Sequence, residues 1–174
     1  MGRLDRSFHN CGVANAENAK GECYLTDIVA AARARALDCV HTMAAPEEAL
    51  GINDRAQLAE AEATLQRRLR QAAMKNGATL LDPATTWFSL DTALGKDVTV
   101  GPNTVFGPGV RVADGVEIHA FCHLEGAKVG PGAVIGPYAR LRPGAEIGEG
   151  AHIGNFVEVK KATVEKGAKI NHLS

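Results

Sequence analysis

The sequence predicts a mainly β protein: a triangular parallel β-helix, preceded by a long connecting α-helix and a short α/β segment. Three observations carry this expectation. An aliphatic or aromatic residue returns every six positions through the C-terminal half, a period that neither a 3.6-residue helix nor a two-residue strand produces. Glycine is abundant, at 19 residues, while aromatics make up only 5%, as suits a narrow core of aliphatic side chains. Just ahead of the repeats, apolar residues recur at three- and four-residue steps.

Along the chain, the expected divisions are residues 1–53, 54–80 and 81–174. In the first, "LTDIVAAARARAL" reads as a helix capped by Thr26 or Asp27, with Ile28, Ala31, Ala32 and Leu37 on its apolar side. "DCVHTM" reads as a strand. This α/β texture is too short for a doubly wound domain, and no glycine-rich phosphate loop precedes it.

The second division is the long helix. Leu58, Ala61, Leu65, Leu69 and Ala72 or Ala73 form its stripe, Lys75 sits in its last turn and Gly77 is the natural stop. Asp54 and Gln57 have capping-box spacing, and Asn53 is a rival cap. A helix of this length spans roughly 35 Å. Its polar face reads as that of a connecting arm rather than a core helix.

In the third division the lead positions are Leu94, Val100, Phe106, Val112, Ile118, Leu124, Val129, Ile135, Leu141, Ile147, Ile153, Val159, Val164 and Ile170. Two five-residue steps, to Val129 and Val164, should each drop a corner residue and leave the register intact. Small or β-branched residues such as Val98, Thr104 and Ala133 stand two positions ahead of most leads. Three hexads close one coil of about 18 residues, which gives about four and a half coils from Leu94 on; stacked coils bury a continuous stripe.

Net charge is −1, which offers no basis for nucleic-acid binding or a polybasic membrane partner. No apolar run reaches membrane-spanning length and the first residues lack a signal-peptide core, so the expected setting is cytoplasmic. Cys11, Cys23, Cys39 and Cys122 are scattered, which argues against a zinc or disulfide framework; Cys122 fits the repeat as a small buried residue.

Two cations interrupt the pattern. Arg142 and Lys160 each follow a lead residue directly, where glycine is usual, and lie 18 residues apart. One coil therefore separates them, about 5 Å along the axis, which makes a phosphate-sized basic pair. Arg140 and Lys161 read as solvated charges.

The stretches "NAKGECYLTDIVAAARA", "LGINDRAQLAEAEATLQRRL", "GPYARLRPGAEIGEGAHIGNFVEVKKA" and "KINHLS" carry a further signal. In this order they resemble the bifunctional bacterial N-acetylglucosamine-1-phosphate uridyltransferase / glucosamine-1-phosphate acetyltransferase family, from about residue 15 to the end. The resemblance implies a left-handed β-helix that forms homotrimers, behind a nucleotidyltransferase domain and a long helix. It implies acetyl transfer from acetyl-CoA to glucosamine-1-phosphate, then uridylyl transfer from UTP with Mg2+. It makes Arg142 and Lys160 phosphate ligands and His172 the general base. It makes Asn53 a magnesium ligand, although the residue's own setting favours a helix cap. Relative to the family pattern the chain reads as cut at both ends, and it is expected to be inactive by itself in both reactions. Two rival readings stay open: a trimeric metal-dependent hydratase of the carbonic-anhydrase type with His119 and His123 as ligands, and a non-catalytic trimeric scaffold. His152 has no assigned role.

Overall fold

The structure, a computed structural model, describes residues 27–45, 48–49 and 51–173. It divides into two units, Met1–Ala49 and Leu50–Ser174. In the first, α1 (Asp27–Ala34) carries its acidic residue in the first turn, where it complements the helix dipole. It closes with Ala36 in the left-handed region and Leu37 N–H donating to the Ala32 carbonyl, a six-to-one closure that satisfies an end carbonyl. The strand expected over 38–43 is absent: those residues are exposed, and no described strand offers them a ladder. Thr26, Cys11 and Cys23 lie outside the described residues.

In the second unit, α2 (Arg55–Lys75) starts at Asp54, whose carboxylate accepts from Gln57 N–H at 2.8 Å. Asn53 is therefore not the cap. It sits one residue further out, and both its backbone N–H and its Nδ2 donate to Gln57 Oε1, at 2.6 and 3.2 Å.

Sixteen two-residue strands follow, from β1 (Thr79–Leu80) to β16 (Lys169–Ile170), in three parallel sheets of six, five and five. Every third strand joins the same sheet, so the chain winds through a first, a second and a third face before returning. This is a parallel β-solenoid of a little over five coils. It starts earlier than Leu94, the first position at which the six-residue rhythm can be counted. Between β1 and β2 (Trp87–Phe88) a short 3-10 turn, Pro83–Thr85, lengthens the step and hides the period.

Within each strand the first residue points out and the second in, as in Arg140 (exposed) and Leu141 (buried). Lead residues and their small companions are inside: Phe106, Leu124, Ile135, Leu141, Val98 and Ala133 are all fully buried. Burying one such large side chain is worth about 1.5–3 kcal/mol. The five-residue steps keep register, since Leu141 still pairs with Leu124 and Ile147 with Val164. Coil-to-coil hydrogen bonds tie the layers, for example Gly101 N–H to the Ile118 carbonyl at 2.7 Å. Glycine after the lead residue answers to this closeness: a Cβ on Gly101 would lie 2.6 Å from the Ala120 nitrogen of the next coil.

At the corner between the first and second faces, Phe121, Tyr138 and Phe156 all adopt φ near +60°. Bulky residues pay about 1–2 kcal/mol each for that conformation. Here they stack in one column, with centroids 4.9 and 5.0 Å apart, and stacked rings recover about 0.5–1.5 kcal/mol per pair.

The helix α2 is a lid on the first coil, not a free arm. Gln66 is buried against β2, the edge strand of the second face: its Nε2 donates to the Phe88 carbonyl at 2.7 Å and its Oε1 accepts from Phe88 N–H at 2.9 Å. Leu69 and Ala73 pack on the core, and Arg70 donates to the Pro83 and Ala84 carbonyls. A side-chain amide thus completes the ladder that a preceding coil would have supplied. Polar composition concealed this, because the decisive residue is itself polar. Gln66→Leu should strand both Phe88 backbone groups and cost about 1–3 kcal/mol in denaturant unfolding with an unchanged slope. Phe106→Ala should cost about 3–5 kcal/mol in the same measurement.

Candidate functional site

The corner between the second and third faces carries, coil by coil, Ser89, Gly107, Glu125, Arg142 and Lys160. β11 (Arg140–Leu141) pairs with β14 (Glu158–Val159), and Arg142 N–H donates to the Val159 carbonyl at 2.8 Å. Arg142 and Lys160 therefore occupy matching slots in adjoining coils, on one corner. This corner has more room than the corner at Gly101: a Cβ on Gly107 would meet first the flexible Glu125 side chain, at 3.2 Å, rather than backbone. Side chains are accommodated here in four of the five coils, so a cation in the slot does not displace an obligatory glycine. Lys161 comes next, exposed and left-handed (φ 47), over Gly144.

Two more side chains join the cluster. Arg140 is the outward residue of β11 and not a corner residue, and Glu158 stands directly opposite it on β14. Glu158 Oε1 accepts from Arg142 Nη1 at 2.8 Å, and Oε2 lies 3.6 Å from Arg140 Nη1. The hydrogen bond from Arg142 holds the Glu158 carboxyl below the usual carboxylate range, and the charges of Arg142, Arg140 and Lys160 act in the same direction. Three cations around one carboxylate leave a local excess of positive charge. Ion pairs this exposed add little stability, so stability does not explain the cluster. Glu158 was legible in principle, since it sits 18 residues after Arg140, the same one-coil interval that relates Arg142 to Lys160.

His172 lies elsewhere. It follows β16 at the corner between the first and second faces, exposed, in the slot that Asn155 fills one coil earlier. That corner and the Arg142–Lys160 corner bound the same second face. From Asn155 to Lys160 the extended chain covers roughly 16 Å. The structure thus brings Arg142 and Lys160 together and sets His172 across the face from them.

Asn53 is remote from both in the chain, ahead of α2. Its side-chain amide already bonds Gln57, and among the described residues no three His, Cys, Asp or Glu side chains gather as a metal site. One carboxamide oxygen is short of the six or so ligands that magnesium takes, so the described residues do not fit a magnesium site. His119 follows β7 (Glu117–Ile118) at the same corner as His172, and His123 opens β8 (His123–Leu124) on the second face; among the described residues no metal-ligating cluster forms around either. No described helix is long and apolar enough to cross a membrane.

Comparison with known proteins gives a consistent result. The family model "Bacterial transferase hexapeptide (six repeats)" matches residues 91–126 and 126–161. The bifunctional protein GlmU of Paramagnetospirillum magneticum is 66% identical over 158 residues, covering 91% of this chain and 35% of that protein. GlmU of Azorhizobium caulinodans is 62% identical over 157 residues, covering 90% and 35%. The acetyltransferase domain of PglB from Neisseria gonorrhoeae aligns in structure with a TM-score of 0.40 at 17% identity, covering 63% of each chain; a likeness of that size carries no argument. The chain spans about a third of the length of the curated relatives it matches. With the solenoid and the hexad register in hand, the chain is similar, along about nine-tenths of its length, to one part of the GlmU proteins.

Proposed function

We propose that this chain serves the acetyl-transfer reaction of a GlmU-type enzyme, in which acetyl-CoA acetylates glucosamine-1-phosphate, and that Arg142 and Lys160 bind the sugar phosphate. The observation that carries the reading is their placement in matching slots of adjoining coils, one layer apart on one corner. A guanidinium offers a planar fork and an ammonium a point charge to the same phosphate oxygens.

His172 is the proposed base. The glucosamine nitrogen attacks the thioester carbonyl, the N–C bond forms, and the imidazole takes the proton that the nitrogen sheds. The C–S bond then breaks and coenzyme A leaves as thiolate, to be protonated in turn. An imidazole suits this work because its ordinary pKa lies close to neutrality.

The second reaction of the family, uridylyl transfer from UTP with Mg2+, is proposed for the whole protein only. Asn53 would give it one oxygen ligand. Since both sites need groups that the described residues do not supply, we expect no turnover from this chain by itself. The proposed assembly is a homotrimer, in the cytoplasm, and sedimentation should then return a mass three times that of the chain.

Titration of glucosamine-1-phosphate into the chain tests the phosphate reading. Arg142→Ala and Lys160→Ala should each weaken binding about tenfold, the loss expected for one charge-assisted hydrogen bond. Equal binding by wild type and both variants, including equally negligible binding, would favour a scaffold without a phosphate site.

A further inference from the structure

Glu158 has no part in the phosphate reading, yet it makes the shortest contact between side chains at the cationic corner, 2.8 Å to Arg142 Nη1. We propose that Glu158 is a positioning residue, which fixes the Arg142 guanidinium so that its remaining donors face a phosphate. The inference rests on the assignment of Arg142 to the sugar phosphate.

Three features support it. The contact is one-sided: Glu158 takes Nη1 only, and Nε and Nη2 of Arg142 hold no other hydrogen bond among the described residues. Those two nitrogens form one edge of the planar fork, the edge that can grip two oxygens at once. Next, the carboxylate is itself held in place. Glu158 is the outward residue of β14, paired in register with Arg140, and its second oxygen lies 3.6 Å from Arg140 Nη1. One oxygen is hydrogen-bonded and the other stands beside the Arg140 charge without a hydrogen bond, so the carboxylate has fewer favourable orientations than an isolated one. Lastly, Arg142 is the less exposed of the two arginines, its side chain 33% accessible against 56% for Arg140. An arm with fewer rotamers to lose binds at a smaller entropic cost.

A competing effect has the opposite sign. A carboxylate beside a phosphate repels it, so Glu158 could instead be a counter-ion that the substrate must displace. The two roles predict opposite outcomes on removing the charge, which makes the choice measurable.

The first measurement needs no ligand. In 15N spectra of the full chain, with the Arg142 guanidinium signal assigned by its loss in Arg142→Lys, wild type should show hindered rotation of that group. Glu158→Ala should show free averaging. If the Arg142 signal is the same in both, Glu158 does not position it, and the inference falls while the phosphate reading stands.

The second measurement is a double-mutant cycle with glucosamine-1-phosphate. Glu158→Ala should weaken binding about three- to tenfold in the wild-type background and leave it unchanged in the Arg142→Ala background. Glu158→Gln, which keeps an acceptor oxygen, should recover part of the loss. Tighter binding by Glu158→Ala would identify the counter-ion instead, and an undiminished loss in the Arg142→Ala background would mean that Glu158 acts without Arg142. Wild type and Arg142→Ala binding alike would remove the phosphate reading itself and this inference with it.

Discussion

The structure depends on the hydrogen bonds that pass from each coil to the next. Every strand is two residues long, far too short to persist alone, and gains its order from the layers above and below. Those bonds fix the separation of equivalent residues at one coil, which is 17 or 18 positions after the lengthened first step, where it is 20. Inward aliphatics, corner glycines and exposed side chains all inherit that interval. A glycine after a lead residue is required where the next coil's backbone comes within contact distance, and is dispensable where a flexible side chain lies there instead.

The same stacking assembles the charged corner. Residues far apart in sequence become neighbours along the axis without any loop to bring them together, so a site can be written as a column. Arg142 above Lys160 is one such column, and Arg140 above Glu158 is the next one over. Phe121, Tyr138 and Phe156 make a third, in which ring stacking offsets an unfavourable backbone conformation. Chemistry in this fold is therefore read down the axis rather than along the chain.

Much of this was legible in the sequence. The inward residues from Leu94 to Ile170 follow from a period of six, and the five-residue steps were correctly expected to preserve register. The proximity of Arg142 and Lys160 follows from counting one coil. The first coil was hidden because a 3-10 turn stretches one of its steps. The lid role of α2 was hidden because Gln66 works through two hydrogen bonds to backbone, which leave no hydrophobic signature. The cap at Asp54 rather than Asn53 was undecided because both residue types serve, and only the angle of chain entry selects between them. Glu158 carries no such mark in the sequence, because it obeys the repeat that Arg142 and Lys160 interrupt.

The strict layer spacing also constrains how such a protein can change over generations. Loss of one residue inside a two-residue strand would turn its outward side chain to the interior, so Arg140 would arrive where Leu141 belongs. Excision of one entire turn would instead join two equivalent points and leave every remaining layer resting on a proper neighbour. Within the strands length can thus change only by whole turns, while a corner can gain or lose a residue and leave the layers in register, as the coils of 17, 18 and 20 residues do.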